Sequence, residues 1–346
     1  MTFHSSCPQS SVDLQTSCPL FVKLPPELRN RVFVFALTPS VDKSRPYGPT
    51  EYYYRPNFRF RPTGLAVSLL RTCKRVHAET SHLPVHNYTH VRWFHRQPDE
   101  PNKAKAAFAQ PPAKCPSFHL FTQQYWLEQW GRGSVHWAPA DFIVRSPHVV
   151  HLRITLRHGD WWSWESSAML RLDPKQQGTA RVPYTQPQDP FQEGSWGDAF
   201  KPSSSLRIFE LELETVEGKT AELDEIVERA EGWRFPLRTE KGMQKKKLVL
   251  QKEKTRKQGW WGERQSGGTH VNIDPIAARR RLEEHGVDFT VEDGEPECTN
   301  TGDARLTYYV VTLVFEKREV EGIEEIGMSD KARDNMRSLV NPLRLS

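Results

Sequence analysis

Two segments of the 346-residue sequence alternate between apolar and polar residues with a period of two. In residues 150–157 the aliphatic side chains are separated by histidine, threonine and arginine, and in residues 209–214 the apolar side chains are separated by glutamates. Because successive side chains of a strand point to opposite faces, both segments are predicted to be half-buried strands. One polar face is basic and the other acidic, and opposed charges across two strands contribute about 0.2–1 kcal/mol per pair. We therefore expect the two strands to be neighbours in one sheet.

A third strand is predicted over residues 306–316, where both alternating faces are apolar. This pattern is typical of a strand at the centre of a sheet that is covered on both sides. Short strands are expected at 88–94 and 247–251. Helices with an apolar stripe are expected at 24–38, 65–82, 118–130, 220–233, 275–285 and 329–340. The predicted fold class is α+β, a small helical module followed by a mixed β-sheet with flanking helices, and a degenerate leucine-rich-repeat-like sheet stays open.

The composition along the chain suggests four regions. Residues 1–20 are rich in Ser, Thr, Gln and Pro and are expected to be a disordered tail. The helical module is expected at 21–95, and a Pro- and Ala-rich linker at 96–117. The α+β domain is then expected at 118–346, with a basic loop near 240–270.

Composition and charge exclude several classes of protein. No apolar run approaches the roughly 18 residues that a membrane-spanning helix needs, and the polar start lacks the build of a secretory signal. The five cysteines are far apart, which argues against a disulfide framework and favours a reducing compartment, the cytoplasm or the nucleus. The net charge of +5 gives no reason by itself to expect a nucleic-acid partner. We expect no cofactor and no membrane partner.

The amino-terminal module carries a family resemblance. The letters LPPEL at 24–28, followed by Val32 and Phe33, resemble the first helix of the F-box. The letters LLRTCKR at 69–75 look like the F-box segment that ends in Val-Cys-Lys/Arg. Together these segments are similar to a large group of filamentous-fungal proteins with an F-box-like amino-terminal module.

The resemblance implies a non-catalytic protein-interaction subunit. An F-box docks on a Skp-type adaptor of a cullin–RING ubiquitin ligase, and the carboxy-terminal domain then selects a protein substrate. Apolar anchors supply most of the energy in such helix-in-groove binding. The implied adaptor contacts are Leu24, Pro25, Leu28, Val32, Phe33, Leu69, Leu70 and Cys73. Two alternatives stay open: the same residues pack the two helices together, or the module is an interaction scaffold with no role in ubiquitin transfer.

Clustered tryptophans form the second candidate site, and the chain contains 11 of them. Such clusters form either an apolar recognition surface or a core beneath the sheet, and the core is the interpretation that we favour. The residues concerned are Trp161, Trp162, Trp164, Trp260 and Trp261.

Other patterns give weaker indications of chemistry. His82, His86 and His90 have a four-residue spacing, but Pro84 interrupts the run and no carboxylate or Cys completes a zinc site. Basic runs at 241–257 and 279–281 are typical of a solvated face as well as of an import signal or a phosphate-contacting patch. The sequence has no phosphate-binding glycine loop, nucleophile elbow, HExxH or dinucleotide fingerprint, so an enzyme is not expected. A nucleic-acid binder or a cryptic enzyme is the remaining alternative.

Overall fold

The structure is a computed structural model. It describes residues 13, 15–38, 40–48, 55–56, 58, 60–62, 67–84, 88–93, 116–130, 148–162, 164–166, 168–175, 195–238, 245–262, 274–290 and 305–320. Several expectations lie outside these residues: the first 12 residues of the tail, most of the linker, His86 and the helix expected at 329–340.

The amino-terminal part contains short helices and one small hairpin. Helix α2 begins where the sequence predicts, because Pro25 takes the N-cap position and Pro26 the first helical position, which needs no N–H donor. In chain order the elements are α1 (Pro19–Val22), α2 (Pro26–Ala36), β1 (Val41–Pro46), β2 (Phe60–Pro62), a 3-10 helix (Val67–Arg71) and α3 (Lys74–Thr80). Strands β1 and β2 pair antiparallel.

The remaining elements build one large mixed sheet with helices. In chain order the strands are β3 (Thr89–Trp93), β4 (Ser117–Phe121), β5 (His151–Leu156), β6 (Ile208–Val216), β7 (Arg234–Pro236), β8 (Lys245–Leu250), β9 (Arg256–Gly262), β10 (Asp288–Phe289) and β11 (Leu306–Val320). The α-helices are α4 (Gln124–Glu128), α5 (Thr220–Ala230) and α6 (Pro275–Glu284). Short 3-10 helices lie at His158–Asp160, Asp198–Phe200, Glu217–Lys219 and Lys252–Lys254.

Strands β3, β4, β5 and β6 are parallel neighbours in that order. Strand β11 pairs antiparallel with β6 along one edge. Its other edge is shared, because β9 pairs with residues 306–312 and β8 with residues 315–320. Strand β10 pairs with β9, and β7 pairs with β8. The expectation of a mixed α/β protein built around a mixed sheet is therefore confirmed.

The two strands with opposite charges are neighbours, as the alternation predicts. Arg153 of β5 lies opposite Glu210 of β6, and it forms ion pairs with both Glu210 and Glu212. His151 Nε2 lies 3.5 Å from a carboxylate oxygen of Glu210. The basic and acidic faces of the two strands thus form one continuous charged layer.

The opposite face of the sheet carries the main hydrophobic core. Leu211 and Leu213 of β6 pack there with Leu152 and Ile154 of β5. Helix α5 buries Leu223, Ile226 and Ala230 against this face, as its apolar stripe predicts. The central strand β11 is buried from residue 307 to residue 315, which confirms that it is covered on both sides.

The structure corrects the helix predicted at 118–130. Residues 117–121 form strand β4, and only Gln124–Glu128 are helical. Phe118 and Leu120 reach the core while His119 and Phe121 face the charged layer, so the alternation of a parallel strand overrides the helical spacing of the aromatic residues.

The helix predicted at 65–82 is also wrong in its extent. The chain forms a 3-10 helix at Val67–Arg71 and a separate α3 at Lys74–Thr80. Cys73 lies between them with extended backbone and serves as the N-cap of α3, where its Sγ accepts a hydrogen bond from the Val76 N–H. A residue in this conformation cannot continue a helix, so the apolar stripe spans two short elements.

Replacing single leucines by alanine tests which leucine positions are buried and which are exposed. Leu213 is fully buried in β6, whereas Leu28 is about half exposed on α2. We expect Leu213→Ala to lower the free energy of unfolding by about 2–5 kcal/mol, since it removes buried contacts and leaves a cavity. Leu28→Ala is the matched control and should lower it by less than about 1 kcal/mol. Urea unfolding of both variants measures the difference, and equal losses would contradict the placement.

Candidate functional site

An exposed apolar stripe runs along α2. Leu28, Val32 and Phe35 are spaced four and three residues apart, which places them on one side of the helix. Their exposed fractions are 46%, 48% and 86%. Phe33 and Leu37, on the opposite side, are 1% and 0% exposed. The helix therefore buries one apolar side within the chain and leaves the other open to solvent.

Polar contacts fix the orientation of α2. The buried side chain of Arg29 donates to the Leu24 carbonyl oxygen at 2.8 Å and lies 3.5 Å from a carboxylate oxygen of Glu79 in α3. The guanidinium groups of Arg29 and Arg75 lie over the ring of Phe21, at 5.3 and 4.1 Å from its centroid. These contacts join α1, α2 and α3 through the side of α2 that carries Arg29, so the helices described here leave the apolar stripe uncovered.

The remaining adaptor contacts implied by the resemblance differ in accessibility. Pro25 is exposed, and Leu24, Leu69, Leu70 and Cys73 are half-buried. Phe33 is buried within the chain, so it is not available to a partner in this conformation. Phe35, which the resemblance does not include, is the most exposed large apolar residue of the part of the chain that the structure describes.

The tryptophan cluster does not form one surface. Trp161 is buried and donates its indole N–H to the Glu214 carbonyl oxygen at 2.7 Å. Trp164 is half-buried against the main core. Trp260 and Trp261 are both buried on opposite faces of β9, where Trp260 stacks on Tyr308 and Trp261 contacts Phe289. These four are structural residues here.

Trp162 is the exception among the five tryptophans. It is 44% exposed, and its indole N–H donates to Glu128 of α4 at 3.0 Å. Tyr125, also on α4, lies beside it with the ring centroids 5.5 Å apart and the rings nearly perpendicular. Tyr125 and Trp162 thus form an exposed aromatic pair whose geometry is fixed by α4.

A segment from the amino-terminal part, which carries Arg55 and Phe58, covers the charged layer of the sheet. Arg55 lies over β6, with its Nη2 at 2.9 Å from Glu212 and 3.4 Å from Glu214. Phe58 packs edge-on against Phe121 and His119 of β4. Arg55, Glu212 and Glu214 are all buried, so the charges are paired inside the protein and not on its surface.

A hydrogen-bonded chain crosses three strands of this layer. The Thr155 hydroxyl donates to Glu212 Oε1 at 3.0 Å, and His119 Nε2 lies 2.8 Å from the same hydroxyl oxygen. With the hydroxyl proton committed to Glu212, His119 Nε2–H is the donor to Thr155. Burial is the main cause that lowers the pKa of His119 well below its usual value, so the imidazole is neutral at pH 7. Since Thr155 is fully buried, these hydrogen bonds lie inside the protein.

The surroundings of the two buried glutamates, Glu212 and Glu214, shift their pKa values in opposite directions. Burial by itself raises the pKa of Glu212, but the charges of Arg55 and Arg153 outweigh it and lower the pKa to about 2. Burial raises the pKa of Glu214, and its more distant contact with Arg55 does not compensate. Glu212 is therefore the ionised centre of the layer.

The basic residues that the sequence singles out are largely paired with acids. Lys252 and Lys254 contact Glu231 and Glu316, and Lys257 contacts Asp224. In α6, Arg279 and Arg281 pair with Glu283 and Glu217. These ion pairs lie on several different elements of the part of the chain that the structure describes.

Among the described residues, no group of three His, Cys, Asp or Glu side chains could hold a metal ion. No helix in the same part of the chain has the length and apolar character needed to cross a membrane.

The sequence contains indications of some site residues that the F-box pattern does not include. Phe35 continues the spacing of Leu28 and Val32, so it belongs to the apolar stripe of the sequence although the F-box pattern does not include it among the adaptor contacts. The alternating charges of β5 and β6 indicated the charged layer. No local pattern indicated that Arg55, which lies in a Pro-rich segment far from Glu212 in the sequence, would pair with Glu212.

Comparison of the chain with known proteins gives no match, whether to a family model, to a curated protein or to a solved structure.

Replacing Glu212 by Gln tests the charged layer. The folded-state pKa of about 2 lies below the ordinary 4.5 of a glutamate. Ionised Glu212 therefore stabilises the fold above pH 4.5, and this contribution is lost as the pH falls toward 2. Glu212→Gln should lower the free energy of unfolding at pH 7 by about 3 kcal/mol, because Arg55 and Arg153 lose a buried partner.

The pH dependence of the stability of Glu212→Gln distinguishes the loss of the Glu212 charge from a loss of side-chain packing. Between about pH 5 and pH 3, the stability of Glu212→Gln should fall less steeply than that of the natural protein. Glu214, whose pKa burial raises, acts with the opposite sign and is present in both proteins. Glu225→Gln, at a largely exposed position on α5, is the control and should keep the natural slope. Urea unfolding at stepped pH measures this, and identical slopes in all three proteins would refute the assignment.

Proposed function

We propose that this protein is a non-catalytic interaction subunit of the F-box-like type, which docks α2 on a Skp-type adaptor of a cullin–RING ubiquitin ligase. One observation carries the proposal: Leu28, Val32 and Phe35 form an exposed stripe on a helix whose opposite side is already packed. The resemblance of residues 24–33 to an F-box supplies the identity of the partner. Residues 21–95 would then serve as the adaptor-binding module.

The energetics favour a docking role for this stripe. Fully burying a large aliphatic or phenylalanine side chain contributes about 1.5–3 kcal/mol. Three such side chains left in water represent a binding surface, and the fold does not need them, since Phe33 and Leu37 already hold α2 in place. Anchors at i, i+4 and i+7 are the spacing with which a helix fills an apolar groove.

The rim of the stripe suggests the charge of the partner. Arg31 is exposed and lies between Leu28 and Phe35 along the helix, and Lys23 is exposed just before its start. Opposite charges at the rim of an interface accelerate association and fix its register. The groove that accepts α2 is therefore expected to be apolar with an acidic edge.

The large sheet and its helices would bind the protein substrate. Parallel pairing of β3, β4, β5 and β6 in chain order supports the hypothesis of a degenerate leucine-rich-repeat-like sheet. The exposed pair Tyr125 and Trp162 offers a rigid aromatic surface, and aromatic residues are enriched where interfaces are strongest. We place the substrate contact at this pair.

Binding of a purified Skp-type adaptor to the intact chain tests the proposal. The double variant Leu28→Asp/Val32→Asp puts two carboxylates into the apolar stripe and should weaken adaptor binding at least about 100-fold, because each charge would have to be desolvated in the groove. Isothermal titration calorimetry gives the affinity, and circular dichroism checks that the variant remains folded. Point variants are preferable to removal of residues 21–95, since that deletion would remove Arg55 and β3 from the sheet.

Met169→Asp is the matched control, because Met169 is as exposed as Leu28 but lies outside α2. It should bind the adaptor with the natural affinity. If the folded natural protein does not bind the adaptor, the ubiquitin role is wrong. A different partner that is captured through α2 and lost in the double variant would then favour an interaction scaffold with no ubiquitin role.

A further inference from the structure

An open cleft lies at one end of the large sheet, where strand β11 continues past the first residue of β6. Its volume is about 470 Å³, which lies within the range of about 300–1,000 Å³ that sites for small molecules occupy. The lining residues are Arg207, Ile208, Lys246, Glu316, Lys317 and Glu319. All of them except Ile208 are charged, so a ligand of this cleft would be selected by its charge and its hydrogen bonds.

The pairing of the strands brings basic residues to the cleft from separate segments of the chain. The Lys317 N–H donates to the Arg207 carbonyl oxygen at 2.9 Å, so these two residues are neighbours where β6 begins. On the other edge of β11, Glu319 lies opposite Lys246 of β8. Because residues two apart along a strand share a face, Lys317 and Glu319 continue the face of β11 that carries Phe315 of the main core. The charged cleft therefore lies where the hydrophobic core ends.

Both carboxylates that line the cleft already have a basic partner. A carboxylate oxygen of Glu319 lies 3.6 Å from Lys246 Nζ. Glu316 is bound by Lys254, which is not one of the lining residues. Each of these two ion pairs is neutral as a whole, so the acids leave the other basic residues of the cleft without a balancing charge.

Arg207 and Lys317 carry the excess positive charge of the cleft. Lys317 Nζ donates to the Ser204 carbonyl oxygen at 2.8 Å, which is a neutral acceptor. Burial lowers the pKa of Lys317, and the positive charges of Lys246 and Arg207 lower it further. Glu319 raises this pKa by less than the other effects lower it, so the electrostatic potential at the Lys317 ammonium group is positive.

The donors of these two residues can be reached from solvent. Arg207 is exposed, and its guanidinium group presents a planar fork of N–H donors. Lys317 is half-buried, and its ammonium group keeps further protons after the contact with Ser204. Arginine binds phosphate with its fork, whereas lysine binds it as a point charge. The two side chains together therefore suit an anion that has several acceptor oxygens and more than one negative charge.

We propose that this cleft binds the phosphate group of a small phosphorylated molecule. A phosphate monoester carries a charge of about −1.5 to −2 at pH 7 and offers strong acceptor oxygens, which matches the excess charge of Arg207 and Lys317 and their donors. A carboxylate carries a single negative charge and would balance only one of these residues. The volume of the cleft leaves room for an organic group beside the phosphate. The proposal is independent of the docking of α2.

The test titrates the intact protein with glycerol phosphate and measures binding by isothermal titration calorimetry. We expect saturable binding, and we expect the thermal midpoint of unfolding to rise with the same concentration dependence. Glycerate, which has a carboxylate in place of the phosphate, and glycerol, which has no charge, are the comparison probes. At equal ionic strength both should bind at least about tenfold more weakly, because they lose hydrogen bonds to charged donors.

Variants decide whether the binding comes from this cleft. Arg207→Gln removes an exposed guanidinium group and should weaken the binding of glycerol phosphate at least about tenfold. Lys43→Gln makes the same change in net charge at an exposed position of β1 and should keep the natural affinity. Glu319→Gln removes a negative charge from the cleft and should strengthen binding about three- to fivefold. Circular dichroism checks that all three variants are folded.

The proposal is overturned if glycerol phosphate does not bind saturably, or if glycerate binds as tightly. It is equally overturned if Arg207→Gln and Lys43→Gln bind with the same affinity, or if Glu319→Gln binds more weakly than the natural protein. An acetylated and amidated phosphoserine that binds more tightly than glycerol phosphate would also overturn it, in favour of a phosphorylated protein as the ligand.

Discussion

The carboxylate of Glu212 is the interaction on which the arrangement of the chain depends. It is buried in the middle of β6, and it joins Arg55 from the amino-terminal part to Arg153 and Thr155 of β5. An unpaired carboxylate in this position would be protonated or would prevent folding, because burial strongly disfavours its charge. The fold keeps it ionised by bringing two guanidinium groups to it from segments that are distant in sequence. The amino-terminal part is thereby attached to the sheet by charge and by the packing of Phe58.

Apolar residues are buried on the core face of the large sheet, but some of those on α2 are exposed to solvent. The core face of the large sheet encloses its leucines and aromatic rings almost completely. On α2, in contrast, the helix is held by Phe33, Leu37 and the contacts of Arg29, while the side that carries Leu28 and Phe35 is left in water. This division is what makes α2 a docking element in the proposed function.

Much of the sheet could be predicted from the sequence, because alternation with a period of two matches the geometry of a strand and not that of a helix. Strands β5, β6 and β11 and the pairing of β5 with β6 follow directly from it. Prediction failed where helical spacing and aromatic content coincide, as in residues 118–130, since a strand buried on both faces has no polar alternation to reveal it. It also failed at Cys73, where a single extended residue divides one predicted helix into two. The apolar stripe of α2 was recognised in the sequence, although the F-box pattern did not include Phe35 among the adaptor contacts.

The sequence by itself determined that residues 150–157, 209–214 and 306–316 are extended, the sign of charge on the polar faces of β5 and β6, and the apolar stripe of α2, because these are properties of neighbouring residues. Only the tertiary structure decided that Phe33 faces inward and Leu28 outward, that three of the five clustered tryptophans are fully buried, and that Arg55 reaches Glu212. Those outcomes depend on contacts between residues far apart in the chain. Their free energy comes from burying particular side chains against one another. The spacing of residues along the chain does not show which side chains will be in contact.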